Sequence, residues 1–178
     1  MQKLKEKAAK LYVQYKLKKN NFSNKSFSYA FKNSSTVLVL MPADDLDFKY
    51  SREILVFLEK LKKEILILTN EYRVSLLPLN FRSKSLGHGI KENNKIGLPS
   101  KSLLSKLLKK KYDVVLDLNR QEQLFYTYVS VVMNAAVSIG FAKSFADKVY
   151  NIQIANSEIN PKICYENLLN CLKMLQDY

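Results

Sequence analysis

Four short apolar runs constrain the fold of this chain more than any other feature: TVLVLM (36–41), EILILT (64–69), DVVLDL (113–118) and VSIGF (137–141). Each is β-branched or aliphatic almost throughout and too short for a helix. Such runs fit strands covered on both faces, as in a parallel sheet. Helical spacing fills the gaps between them. Over 49–62, Tyr50, Ile54, Phe57, Leu58 and Leu61 share one side, while Arg52, Glu59, Lys60 and Lys62 lie elsewhere. Pro99-Ser100 opens a helix through Leu103, Leu104, Leu107 and Leu108, and another is predicted over about 121–136.

The remaining segments are less sharply patterned. Residues 72–80 read equally as a helical turn or a strand, and 82–99 read as a loop with a short strand near 95–98. An alternating last strand is predicted in VYNIQIA (149–155). Asn160-Pro161 starts a final helix, with Asn as cap and Pro in the first helical position. Cys164 and Cys171 then fall on one face about two turns apart. They read as buried thiols, not a disulfide or a metal pair. The order of elements predicts an α/β, Rossmann-like doubly wound sheet, mostly parallel, with flanking helices and a basic N-terminal helix.

Charge divides the chain. Residues 1–33 carry nine lysines against one acid, Glu6, within an overall net charge of +13. We therefore expect a basic helical arm and connector over 1–33 and a single α/β domain over 34–178. Within 2–19, Leu4, Ala8, Leu11, Tyr12 and Tyr15 form an apolar stripe surrounded by lysines, and Asn20-Asn21 is a plausible stop. Phe27, Tyr29 and Phe31 alternate, which predicts a short edge strand over 27–31. Three readings of this arm stay open. Lys3, Lys7, Lys10, Lys16, Lys18 and Lys19 can face an anionic membrane surface or another acidic partner. They can track nucleic-acid phosphates, with Phe22, Phe27, Tyr29 and Phe31 as stacking faces. Or the stripe packs on the domain and the lysines are only solvated. The arm has no arginine, which counts against nucleic acid.

Hydrophobic residues make up 47%, too many for a disordered chain. No apolar run reaches membrane-spanning length, and no secretory signal pattern follows the basic start. The expectation is a cytoplasmic protein, peripheral at the inner membrane surface if the arm binds there.

The stretch KKKYDVVLDLNRQEQLF…MNAAVSIGF resembles the fourth strand, following helix and fifth strand of the amino-terminal half of the ADP-heptose:lipopolysaccharide heptosyltransferases. TVLVLMPADDLDFKYSREILVFLEKLKK corresponds to that family's first strand, acidic loop and first helix, and the resemblance runs from 36 to about 155. It implies a GT-B acceptor half and a catalytic carboxylate in the first loop. Asp45 is the nearest match, with Asp44 and Asp47 as rivals, because MPADDLD lacks the family's Gly-Asp pair. The family's donor site lies in a second domain. One half predicts a non-catalytic ligand-binding or interaction protein, or a transferase activity that needs a partner. The basic first helix and the closing ENLLNCLKML also resemble small uncharacterised bacterial proteins built on this half-fold.

The chemistry candidates sit at strand ends. Asp113 and Asp117 share a strand face, Asp113 where the strand begins and Asp117 near its carboxyl end, where open α/β sheets place ligands. With Asn119, Arg120 and Gln121, Asp117 lines a polar crevice or accepts backbone N–H groups nearby. Asp44, Asp45 and Asp47 act at a ligand crevice or cap a helix start. His88, between Gly87 and Gly89, reads as a solvated loop histidine. No phosphate-loop, dinucleotide or nucleophile-elbow motif is present, so no cofactor and no metal are expected.

Overall fold

The computed structural model describes residues 2–17, 27–155 and 157–177. Six parallel strands form one sheet: β1 (Thr36–Leu40), β2 (Glu64–Asn70), β3 (Ser85–His88), β4 (Val114–Asp117), β5 (Val137–Phe141) and β6 (Ile152–Ile154). Their spatial order is β3-β2-β1-β4-β5-β6, the doubly wound order of dinucleotide-binding folds. The connections reverse direction between β1 and β4, so the loops leaving those strands diverge at the carboxyl edge.

Alternation along the strands explains the continuous apolar runs. Val37, Val39, Ile65, Ile67, Val114, Leu116, Val137 and Ile139 meet one helical layer, formed by α2 (Phe27–Lys32), α3 (Asp45–Lys60) and α8 (Pro161–Asp177). Leu38, Leu40, Leu68 and Val115 point the other way, toward α5 (Lys101–Leu107) and α6 (Leu124–Met133). The central strands β1, β4 and β5 are buried on both sides, so no polar alternation appears in them. Two four-residue helices, α4 (Leu79–Arg82) and α7 (Ala146–Val149), complete the set with α1 (Gln2–Leu17).

Local signals act as expected at several ends. Ser100 accepts the Leu103 N–H at 3.2 Å, and Asn160 Oδ1 accepts the Lys162 N–H at 3.0 Å. Cys164 is buried, and Cys171 is partly buried in the same core. Asp113 ties β4 to β1: its carboxylate accepts the Ser35 and Thr36 N–H groups at 2.8 and 2.9 Å. Burial alone would raise its pKa, but these backbone bonds outweigh that and hold it below the usual value.

Several expectations are corrected. Residues 27–32 are helical, not an edge strand. A buried lysine caps that helix: Lys63 Nζ donates to its Phe31 O at 2.9 Å and, just beyond its end, to Ser34 O at 2.8 Å. Residues 72–80 resolve into a 3-10 turn (Glu71–Leu76) and the start of α4. Within 82–99 lies β3, and 95–98 is not a strand. There Asn94 Oδ1 accepts the Ile96 and Leu98 N–H groups, both at 3.0 Å, and Gly97 takes a left-handed φ of 84° to close the turn. Helix α1 packs on α6 through Ala9, Val13 and Leu17, whereas Leu4, Ala8, Leu11, Tyr12 and Tyr15 remain exposed. Tyr12, though 42% exposed, still sets its ring 5.6 Å from that of Tyr128 on α6. Lys18, Lys19, Asn20, Asn21 and Phe22 lie outside the described residues, and the side chains of Phe27 and Tyr29 are likewise outside them.

Candidate functional site

Asp117 ends β4 with a fully buried side chain. A bare carboxylate in such a place would be very costly, so the fold surrounds it with donors. Its Oδ1 accepts the Asn119 backbone N–H at 2.9 Å and Asn119 Nδ2 at 2.7 Å. Its Oδ2 accepts Lys143 Nζ at 2.7 Å and the Tyr150 hydroxyl. Lys143 is itself 5% exposed and also donates to Asn119 O at 2.8 Å. Gly140 makes room for this arrangement. It pairs with Asp117 across the sheet, and a Cβ there would stand 2.9 Å from the Tyr150 ring.

The β1–α3 loop is fastened just as closely. Asp44 is the N-cap of α3, accepting from Leu46 N at 2.9 Å and Asp47 N at 3.1 Å. Asp47 is buried and pairs with Arg120 Nε at 2.7 Å. Burial raises the Asp47 pKa, although the Arg120 bond and charge act against the rise. Arg73, from the turn after β2, is buried between Phe48 and Tyr72 and donates to Ala43 O at 2.5 Å and Asp45 Oδ1 at 2.7 Å. Asn119 Oδ1 accepts the Ala43 N–H at 3.1 Å, joining the two loops. The crevice between them has shrunk to about 20 Å³, space for roughly one water. The structure thus brings Asp44, Asp47, Asn119 and Arg120 together at the switch point, with Asp117 beneath them. Asp44 and Asp45 are both exposed, and the Asp45 carboxylate is 90% exposed even though it pairs with Arg73.

An open cleft of about 760 Å³ lies immediately beside this sealed crest, a volume typical of small-molecule sites. Its walls are the first half of α1, the 90–97 loop and residues 122–125, which lead from β4 into α6. Ile96, Leu124 and Phe125 supply apolar surface, and Asn93, Asn94 and Gln123 supply amides. Its acids are engaged: Glu6 pairs with Lys10 at 3.3 Å, and Glu122 accepts the Thr127 hydroxyl and the Phe145 N–H. Lys5 and Lys95 give the rim positive charge. Behind the wall, His88 stacks on Phe125 with ring centroids 4.3 Å apart and hydrogen-bonds the Tyr126 hydroxyl at 2.8 Å. It is buried, not solvated, and burial lowers its pKa to about 4, so it is neutral at pH 7. No group of three or more His, Cys, Asp or Glu side chains suited to a metal occurs among the described residues.

Sequence reasoning located Asp117 and the β1 loop but missed Lys143, Tyr150, Arg73 and the whole cleft. Gly140 was the one available hint, a glycine inside an otherwise bulky strand. The chain belongs to a family described as "Family of unknown function (DUF6913)", which matches residues 5–175. Comparison with curated proteins gives no match, and comparison with solved structures gives none. Among the described residues, no helix is long and apolar enough to cross a membrane.

Proposed function

We propose that the chain is a non-catalytic ligand-binding domain related to the acceptor half of the heptosyltransferases, holding a small anionic molecule in the cleft beside β4. The carrying observation is that cleft: about 760 Å³ at the carboxyl edge of a doubly wound sheet, next to the strand-order switch. Lys5 and Lys95 favour an anion, the amides of Asn93, Asn94 and Gln123 favour a ligand rich in hydroxyl or carbonyl groups, and Phe125 offers an apolar face. A thermal-shift panel of sugar phosphates, nucleotides and other small anions tests this. A binding compound raises the Tm, and Lys95→Glu removes that rise. If no compound stabilises the protein at millimolar concentration, or if Lys95→Glu leaves the rise intact, the reading fails.

A second reading is supported by the exposure of Asp45 beside the buried Arg73. In it, Asp45 is the base of a sugar transfer completed by a partner's donor domain. Asp45→Asn then abolishes transfer in the reconstituted pair without altering the fold. Transfer that survives the substitution excludes Asp45 from that role.

A further inference from the structure

Helix α1 has two apolar faces, and one of them packs on the domain. Ala9, Val13 and Leu17 pack on α6. At about 100° per residue, Leu4, Ala8, Leu11 and Tyr15 fall on the opposite side. They are exposed, Leu4 at 74% and Leu11 at 59%, and the stripe runs for about 16 Å along the helix. Lysines flank it on both sides: Lys3, Lys7 and Lys10 along one border, Lys5 and Lys16 along the other.

We infer that this outer face of α1 is a docking surface for an anionic lipid bilayer, with the helix lying in the interface plane. The inference does not depend on the ligand cleft. Large apolar side chains between two rows of lysine match the cross-section of a bilayer surface: the stripe enters the acyl boundary while the lysines extend to the headgroups. The helix is already formed and held by α6, so docking needs no coil-to-helix ordering. A nucleic-acid groove would make little use of Leu4 and Leu11, and the arm lacks arginine. A second copy placed face to face would bring lysine rows against lysine rows.

Flotation of the full chain with vesicles tests the inference. Binding is expected to phosphatidylglycerol/phosphatidylcholine vesicles and not to phosphatidylcholine alone, and it weakens as salt rises. Leu4→Ser with Leu11→Ser reduces binding at least about tenfold. Because both side chains are exposed, the thermal melting of this variant stays at the parent value. The protein has no tryptophan, so Leu11→Trp adds a single reporter whose emission shifts to the blue on the anionic vesicles. Absence of anionic-vesicle binding, an unshifted Leu11→Trp spectrum, or undiminished binding by the double variant overturns the inference. So does an outer stripe that instead drives dimerisation or preferential binding to DNA.

Discussion

The sealed crest and the open cleft stand side by side at the same edge of the sheet, and both border residues 119–125. At the crest, every acid is engaged by the fold: Asp117 by Lys143, Tyr150 and Asn119, Asp47 by Arg120, Asp44 by the α3 N-terminus, and Asp45, its carboxylate still exposed, by Arg73. In the cleft, polar amides and lysines line about 760 Å³ of open space. Position at the switch point therefore does not by itself open a cavity. Here the charged residues at the switch tie two loops together, and open space lies one loop farther out, where α1 and the 90–97 loop form the opposite wall.

The largest effect that would break this contrast is at Asp117. Asp117→Asn strands Lys143 in a buried position and is expected to destabilise the protein by about 3–5 kcal/mol in denaturant unfolding. Cleft binding, measured where the variant is still folded, should persist. Loss of binding with unchanged stability would make the crest the site. Next is pH. The folded pKa of His88 lies near 4, below its ordinary 6.5. The unfolded chain thus binds the proton more readily between those values. The contribution of His88 is complete above about pH 6.5, declines as pH falls, and is gone below about pH 4, a loss of up to about 3 kcal/mol. His88→Gln should flatten this window in urea titrations, and a slope that persists would assign it elsewhere. Gly140→Ala follows, expected to lower stability by about 1–3 kcal/mol because the new methyl meets the Tyr150 ring. Smallest is Asp45→Asn, expected to change stability by less than about 1 kcal/mol, since that pair has an exposed partner. A larger loss would move Asp45 into the structural group.

Much of the fold was legible because the central strands are buried on both faces and carry little except aliphatic residues. β5 was bounded correctly at 137–141, and the other central strands to within a residue or so. β3 was not legible: Ser85–His88 is a half-buried edge strand interrupted by Gly87, with no apolar run to mark it. Gly87 is required by close packing, as a Cβ there would come 3.0 Å from the Glu71 Cα. Helix α1 misled in the opposite way. Its larger apolar residues form the more regular stripe, but the smaller face packs. At the site, Asp117 was recognisable from strand position. Its partners Lys143 and Tyr150 come from beyond the next strand, and no local spacing connects them. The cleft draws its walls from three separate segments, so only the closed fold assembles it.

The docking of α1 onto α6 also has a consequence for how the chain is made. Ala9, Val13 and Leu17 find their partners among Leu98, Tyr128, Val131, Ala146, Val149 and Tyr150. During synthesis α1 therefore leaves the ribosome before its packing groove exists, with apolar residues on two sides and lysines between them. Until residues near 150 emerge, α1 presents both faces at once.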